Sequence, residues 1–404
     1  MKLSLAANYD MDLVPRLKGF PVAEVYGRLP VDFVGGGRPS YMGTALTKRE
    51  LADYVSHLRA HGIAFNYLLN ASCLGNQEWS RRWQRQLMGF LDELARMGVR
   101  TLTVSTPFLL ELIRKRCPHF AVKVGIYAQV DTPRRARFWE ELGADSINLE
   151  SFSINRNLDL LAAIRKAVRC DLQLIPNHIC LVNCPMQPYH QNGCAHSSTS
   201  RGRLFIDYSF LRCCRTRLQD PSSFIKAQWI RPEDLGKYEE MGYTTFKLLE
   251  RGIPSEELLK RVIAYSERRY DGNLADLFLS YGFKTEPKKP RFWFLRHFLK
   301  PLQADPLKMR RFHDLARHQG MLYAKDEQAI EIQSSAIPAD FLGGFRSRAC
   351  ARLACGDCGY CDGIADRAVR IDPGYRAEAL RHHADVDDAM LDGGLWGVQN
   401  RNWD

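Results

Sequence analysis

Short apolar runs alternate with longer segments in which apolar residues recur every three or four positions, up to about residue 268. The short runs predict β-strands and the longer segments predict helices between them. The predicted strands are 2–7, 22–26, 63–69, 101–105, 122–128, 146–149, 172–175 and 244–249. Eight strands alternating with helices indicate an α/β fold of the (β/α)8 barrel type, with a doubly wound open sheet as the alternative.

The helical segments carry recognisable start and stop signals. Thr47 and Glu50 form a capping box, and Gly62 follows the last turn of a helix predicted over 47–61. A longer helix is predicted over 77–97, with its tryptophans on the apolar side. The other predicted helices are 109–116, 133–142, 158–168, one opening at Arg231-Pro232, and 254–268. The first strand is not followed by G-x-G-x-x-G, so a dinucleotide-binding fold has no support.

Polar residues stand where several predicted strands end. In a (β/α)8 barrel the active site lies at the carboxyl ends of the strands, so these side chains would face one mouth. They are Asn8, Asn70, Ser105, Gln129, Glu150, His178 and Arg251.

The richest polar segment, 177–217, directly follows the seventh predicted strand and therefore falls at the same mouth. It holds five cysteines, Cys180, Cys184, Cys194, Cys213 and Cys214. Cys180 and Cys184 are four residues apart, so one helical turn would bring both sulfurs to one side. Converging thiolates bind soft metals, and four can hold an iron–sulfur cluster. Zinc is the lesser alternative and buried free cysteines are another, although the surrounding Asn, Gln, Gly and Ser do not resemble a core.

A second cysteine group, Cys350, Cys355, Cys358 and Cys361, lies near the C-terminus. The last three repeat the opening spacing of bacterial ferredoxins, but Ala365 stands where the fourth ligand would be. Cys350 would complete the set. These spacings suit one metal centre, which would be an iron–sulfur cluster or a structural zinc.

The chain divides into three predicted parts. Residues 1–282 form the barrel with its cysteine-rich insertion, and 304–404 form a helical extension that carries the second cysteine group. Between them, 283–303 is a basic, aromatic, proline-punctuated linker that would pack on the barrel or contact a membrane surface or nucleic acid. The acidic, histidine-bearing tail after Arg370 is expected to be a loosely held end.

Composition narrows the class of protein. The chain has 404 residues and 12 cysteines, and no apolar run approaches the ~18 residues of a membrane span. No export signal is recognisable, which predicts a cytoplasmic protein whose cysteines bind metal rather than form disulfides. The formal charge of +11 favours an acidic small molecule, RNA or another nucleic acid, or an anionic membrane surface as partner.

Three stretches together resemble peptidase family U32, the collagenase-like proteases. They are FWEELGADSINLE at 138–150, the two-cysteine segment at 177–185, and WIRPEDLGKYEEMGYTTFKLLERG at 229–252. The last is similar to a strand–helix–strand unit of the family that ends in a Lys and an Arg, here Lys247 and Arg251. The similarity covers about the first 268 residues, and the C-terminal cysteine group is similar to that of one divergent branch.

The resemblance implies an iron–sulfur enzyme. Many members hydroxylate transfer RNA, ribosomal RNA or the ubiquinone precursor ring without oxygen, with prephenate as the implied oxygen donor and a [4Fe–4S] cluster held by four cysteines. Cys180 and Cys184 match motif positions well, Cys213 or Cys214 matches a later one, and Cys194 matches less well. Glu150-Ser151 stands where the family commonly has Arg-Glu, so the substrate stays open between RNA and a small aromatic molecule.

Other functions were weighed against this one. A radical S-adenosylmethionine enzyme requires C-x3-C-x2-C, and Gln187 occupies the position of the third cysteine. A peptidase requires a nucleophile and base or a hydrolytic metal, and neither H-E-x-x-H nor G-x-S-x-G is present. A non-catalytic iron–sulfur subunit of a heterodimer is a further alternative, because some relatives pair with a second member.

An anionic donor or substrate is predicted to bind Arg217, Arg231, Lys247 and Arg251.

Overall fold

The protein folds as a closed barrel of eight parallel strands in a computed structural model. The strands are β1 (Lys2–Ala6), β2 (Val22–Gly27), β3 (Ala64–Leu69), β4 (Thr101–Val104), β5 (Ala121–Val124), β6 (Ser146–Asn148), β7 (Asp171–Leu174) and β8 (Thr245–Leu248). The pairing of β1 with β8 closes the barrel, which confirms the (β/α)8 prediction. The structure describes residues 1–40, 45–199, 205–250, 253–279, 299–300, 302, 305, 307–309, 311, 329–346, 348, 350 and 355–396.

Helices connect successive strands, and each predicted helix of the barrel has a counterpart. Up to the insertion they are α1 (Leu13–Arg16), α2 (Lys48–Ala60), α3 (Arg81–Arg96), α4 (Pro107–Arg116), α5 (Pro133–Glu141), α6 (Ser151–Ile154) and α7 (Leu158–Ala167). The insertion and the remaining barrel helices are α8 (Gln187–Ser197), α9 (Tyr208–Gln219), α10 (Ser222–Lys226), α11 (Leu235–Glu240), α12 (Ser255–Glu267) and α13 (Ala275–Phe278). The capping box at the start of α2 forms as predicted, since Thr47 accepts from the Glu50 amide and Glu50 accepts from the Thr47 amide.

The helix predicted over 77–97 is wrong at its start. Residues Gln77–Trp79 form a separate 3-10 turn, and α3 begins only at Arg81. Ser80 adopts an extended conformation and its side chain accepts a hydrogen bond from the Trp83 amide, so it caps the helix and separates the two segments. Trp79 is consequently 84% exposed instead of lying on the apolar side.

The interior of the barrel is polar. Lys123 on β5 pairs with Glu24 on β2, with 2.7 Å between Nζ and Oε2. Since β2 and β5 are not neighbours in the sheet, this ion pair spans the interior of the barrel. The Ser4 hydroxyl and the Asn66 amide also donate to Glu24. Burial alone would raise the pKa of Glu24, but Lys123 and these donors hold it below its ordinary value.

The described residues of the C-terminal region add a small sheet and four helices against the barrel. Strands β9 (Ile330–Ile332) and β10 (Val369–Ile371) pair in antiparallel fashion. The helices are α14 (Phe341–Arg346), α15 (Cys355–Cys358), α16 (Tyr360–Ala368) and α17 (Pro373–Leu391).

The prediction of a loosely held tail after Arg370 is wrong. That segment forms β10 and the 19-residue helix α17, which lies along α9 of the cysteine-rich insertion. Asp387 on α17 is 2% exposed and pairs with Arg212 and Arg215 of α9 at 3.1 and 2.6 Å. The sequence pattern of the tail did not show the two partners that neutralise its buried acid.

We expect Asp387→Asn to loosen α17 from α9 by about 2 kcal/mol, because two hydrogen bonds to a charged group, which contribute ~1.5–3 kcal/mol each, become weaker bonds to a neutral amide. Hydrogen exchange should show faster exchange in α17 and unchanged exchange in the barrel strands. Asp388→Asn, one residue along the same helix, is the control. Equal protection of α17 in both variants would contradict the role assigned to the two ion pairs.

Two sequence predictions fall outside the described residues. These are Arg251 and nearly all of the basic aromatic linker at 283–303. Of the helices that the structure describes, none combines the length and the hydropathy that a membrane crossing requires.

Candidate active site

A cavity of about 280 Å³ opens at the carboxyl ends of the barrel strands. The loop after β7, helices α8 and α9, and the residues that follow β8 form its walls. Four cysteines line it together with residues from all of these elements. They are Cys180, Cys184, Cys194 and Cys213. The cavity therefore lies where the barrel fold places an active site.

The four cysteines reach the cavity from three different elements. Cys180 and Cys184 lie in the irregular loop after β7, in which Asn183 adopts a left-handed conformation (φ 49°). Their spacing does not correspond to one helical turn, which was the expected arrangement. Cys194 lies on α8 and Cys213 on α9. Tertiary packing, and not local spacing, brings these thiols to one wall.

Neighbouring cysteines on α9 have different environments. Cys213 lines the cavity, whereas Cys214 is fully buried among the apolar residues of the core. Successive residues on a helix point about 100° apart, so only one of the pair can face the cavity. Of the two residues that the sequence left open as ligands, Cys213 has the position of a cavity ligand.

Arg217 lies one helical turn beyond Cys213 and contacts it directly. Its Nη1 is 3.3 Å from the Cys213 sulfur, and its Nη2 donates to the carbonyl of Ile179, beside Cys180. A hydrogen bond from Cys214 and the Arg217 charge lower the pKa of Cys213, which favours the thiolate. Burial raises the pKa of Cys180, and Arg217 opposes that rise.

A histidine and an aspartate extend the ligand set. His190 Nδ1 donates to the carboxylate of Asp207, and its Nε2 is 3.9 Å from the Cys194 sulfur. Potential ligand atoms of these three residues all lie within 4.8 Å of one another, as in a metal site. Burial opposes a charged His190, but Asp207 and Cys194 raise its pKa to about 11. Asp207 was missed by the sequence reasoning, because it lies 17 residues from His190 with no motif to link them.

An ion pair that was not predicted from the sequence also lines the cavity, and one of its members follows a glycine-rich segment. Gly35 has φ +86°, and a Cβ there would lie 2.8 Å from the Ala195 carbonyl on α8. The segment therefore packs closely against α8, and it leads to Arg38, which lines the cavity and pairs with Glu250 after β8. The run of three glycines before Arg38 was the available signal.

Three of the four basic residues predicted to bind substrate lie among the described residues, and their locations differ. Arg217 lines the cavity, and its guanidinium contacts the Cys213 sulfur and the Ile179 carbonyl. Arg231 pairs with Asp234 and donates to two carbonyls of the C-terminal extension. Lys247 lies inside the barrel with its ammonium 4.0 Å from the centre of the Tyr26 ring. Their role in substrate binding stays a prediction.

Several polar residues predicted at strand ends are engaged in bonds near the mouth. His178 lines the cavity, donates through Nε2 to the Ser151 carbonyl, and has a pKa lowered to about 3 by burial, so it is neutral. Burial also raises the pKa of Glu150, which accepts a hydrogen bond from Gln187 of the cavity wall. Asn8, in contrast, donates to Ser255 at the start of α12.

The C-terminal cysteines line a second, smaller cavity of about 30 Å³. It is distinct from the mouth cavity and shares no lining residue with it. All four predicted ligands contribute to it. They are Cys350, Cys355, Cys358 and Cys361.

Comparison with known proteins identifies the family. The sequence model of peptidase family U32 matches residues 39–195. The uncharacterized protease MJ1657 of Methanocaldococcus jannaschii is 32% identical over 254 residues, which span 63% of this chain and 74% of that relative. The chain belongs to peptidase family U32. This membership confirms the resemblance derived from the three sequence stretches.

A U32 peptidase is also found among similar solved structures. The structure described as that of the U32 peptidase Mk0906 is 20% identical, and the similarity covers 63% of this chain and 94% of that one with a TM-score of 0.48. A D-psicose 3-epimerase from Clostridium cellulolyticum H10 is 9% identical, with coverage of 66% and 90% and a TM-score of 0.31.

Proposed function

We propose that this U32 protein is an iron–sulfur enzyme, and that it acts as an oxygen-independent hydroxylase or a related redox enzyme. The observation that carries the proposal is the convergence of Cys180, Cys184, Cys194 and Cys213 on one cavity at the barrel mouth. Four thiolates around one space are the usual ligand set of a [4Fe–4S] cluster. When bound, such a cluster would supply one-electron redox chemistry.

The chemistry of the donor set fits the cluster. The thiol of Cys213 is biased toward the thiolate that a metal requires. The cavity volume of about 280 Å³ exceeds what one metal ion needs and approaches the lower end of the range of ligand pockets. Thiolate-bound clusters carry excess negative charge, and Arg217 supplies a buried positive charge between Cys213 and the loop of Cys180.

The remaining wall residues would bind and orient the substrate. His190 and Asp207 hold a proton between them at one side of the cavity. Arg38 and Glu250, which pair with each other, also line the cavity, and a guanidinium is suited to bind a carboxylate or phosphate. These features support an anionic donor such as prephenate, with RNA or a small aromatic molecule as acceptor. The positive net charge of the chain is consistent with either acceptor.

A second function, metal-dependent peptide hydrolysis, is favoured by one specific observation. His190, Cys194 and Asp207 could hold a single divalent ion, since their ligand atoms lie within 4.8 Å of one another. Three protein ligands and an open position are the arrangement of a catalytic zinc. The relative from Methanocaldococcus jannaschii is itself described as an uncharacterized protease.

The two functions share Cys194 but differ in their need for Cys180. We expect anaerobically purified protein to contain iron and sulfide and, with prephenate as oxygen donor, to catalyse addition of one oxygen atom to RNA or a small aromatic acid. Metal-free protein should lack this activity and regain it after cluster reconstitution. Cys180→Ser should abolish this activity. In the peptidase alternative, zinc-loaded protein would cleave casein or gelatin, and Cys180→Ser would retain that cleavage while His190→Ala would lose it.

Cys170→Ser is the matched control, because Cys170 is a half-buried thiol that lies in neither cysteine group. It should behave as the unmodified protein in every assay. Equal proteolysis by metal-free and reconstituted protein, without any cluster-dependent product, would overturn the redox proposal. A cluster-dependent product with the mass of one added oxygen would overturn the peptidase alternative.

A further inference from the structure

The C-terminal cysteines converge through a sharp turn of the chain. Cys355 and Cys358 lie on the short helix α15, and Cys361 lies in the first turn of α16. Gly359 joins the two helices with φ +63°, a left-handed conformation that favours glycine, and so turns Cys361 back toward the other two. With Cys350, all of these cysteines line the cavity of about 30 Å³.

A buried arginine of the barrel lies beside this cavity. Arg156, which follows α6, is 4% exposed, and its guanidinium packs against the rings of Trp229, Phe341 and Phe345 at 4.4, 4.6 and 4.7 Å. Phe345 also lines the cysteine cavity. The guanidinium donates to the carbonyls of Ile225 and Trp229, which are neutral acceptors.

Arg156 has no carboxylate partner in the part of the chain that the structure describes. A buried charge costs several kcal/mol unless an opposite charge compensates it. Phe345 contacts the Arg156 guanidinium and also lines the cysteine cavity, so no more than one side chain lies between this charge and the cavity. The C-terminal thiols would therefore compensate Arg156 if they were ionised.

We propose that Cys350, Cys355, Cys358 and Cys361 bind a thiophilic metal centre of their own, and that Arg156 balances its negative charge from within the barrel. Four thiolates exceed the charge of the ion or cluster core that they hold, so such a centre is anionic. Metal binding keeps the thiols ionised at neutral pH. The centre would supply the negative charge that Arg156 lacks, and Arg156 would add to the positive charge of Lys226 and Arg348, which line the cavity.

The same arrangement fastens the C-terminal extension to the barrel. Phe341 and Phe345 belong to α14 of the extension, whereas Trp229 and Arg156 belong to the barrel. Lys226 of α10 also lines the cysteine cavity and binds Asp362 of α16 at 3.1 Å. Loss of the metal would therefore weaken the attachment of α15 and α16 to α10, and leave the barrel and its mouth cavity intact.

The first test concerns the existence of the centre. In full-length protein, Cys358→Ser/Cys361→Ser should lower the metal content by one complete centre relative to Cys170→Ser. Cys180→Ser should leave that centre in place, which separates this proposal from the fate of the mouth cluster. Zinc without sulfide would identify a single ion, and iron with sulfide a cluster, and both support the proposal. Unchanged metal content in the double variant would overturn it.

The second test concerns Arg156. Arg156→Met keeps the length and apolar stem of the side chain and removes its charge, so we expect the C-terminal centre to bind about 10-fold to 100-fold more weakly in chelator competition. Arg165→Met is the control, because Arg165 also donates to two backbone carbonyls, and these belong to Val168 and Cys170, which do not line the cysteine cavity. If Arg156→Met does not fold, Arg156→Lys, which retains the charge, should keep most of the affinity. Equal competition curves for the methionine variants, or loss of the centre in a folded lysine variant, would overturn the role of Arg156.

Discussion

Cys213→Ser is expected to remove most of the iron and sulfide from the mouth cavity and to leave the barrel folded. Cys213 is the cavity-facing member of the pair on α9, and Arg217 and Cys214 both stabilise its thiolate. Serine is similar in size to cysteine but is a poor ligand for the iron of a cluster, so the cluster would lose one of its four ligands. Iron and sulfide analysis of anaerobically purified protein, with the visible absorption of the cluster, measures the loss.

The neighbouring cysteine provides an unusually close control. Cys214→Ala removes a sulfur that is fully buried in the core, so we expect a destabilisation of about 1 kcal/mol. It also removes a hydrogen bond to Cys213, but it leaves all four ligands of the cavity in place, so the iron content should stay close to normal. A Cys214→Ala variant that lost its cluster beside a Cys213→Ser variant that kept it would reverse the ligand assignment.

Lys123→Met is expected to destabilise the barrel by about 3–5 kcal/mol. The substitution leaves Glu24 buried inside the barrel without its cation, and breaking one half of a buried pair costs that amount because the remaining charge is uncompensated. Urea unfolding, monitored by tryptophan fluorescence, measures the change. The double variant Glu24→Gln/Lys123→Met should recover much of the loss, since neither charge of this pair is then left buried without its partner.

The pH dependence of these variants follows from the lowered pKa of Glu24. In the native protein the ion pair stabilises the fold above about pH 4.5, the ordinary value, and this contribution disappears as the pH falls through the lower folded pKa. In Lys123→Met, protonation of Glu24 removes its buried charge. The destabilisation should therefore be largest near neutral pH and shrink as the solution is acidified. A loss of stability that does not vary with pH would show that packing, and not charge, is responsible.

Much of the barrel could be predicted because its signals are local. Each strand is a short apolar run, and each helix has an apolar stripe with capping residues such as Thr47 and Glu50. The spacing of apolar residues and the capping residues therefore suffice to predict the order of the elements. The start of α3 was predicted wrongly because Ser80 can either continue a helix or cap one. Its extended backbone and its hydrogen bond from the Trp83 amide show that α3 begins after it.

The position of the candidate site was also accessible, because in a barrel the carboxyl ends of all strands meet at one mouth. The residues of the site were accessible only in part, since Cys180, Cys184 and Cys194 were predicted but Asp207 and Arg38 were not. The separation of Cys213 from Cys214 depends on which face of α9 packs against the core. The pairing of Asp207 with His190 depends on how α8 meets the start of α9. Neither arrangement can be predicted from the spacing of these residues in the sequence.

The sequence by itself determined the order of strands and helices, the family, and the two cysteine groups, since these depend on residue types at short separations. Only the tertiary structure decided which charges meet. Glu24 reaches Lys123 across 99 residues, Asp387 of the tail reaches Arg215 across 172, and Arg156 reaches aromatic rings beside the C-terminal cysteines. The physical reason is that a buried charge is stable only beside its compensating group. The partner is selected by the packing of whole elements, and that information is not contained in any one stretch of the chain.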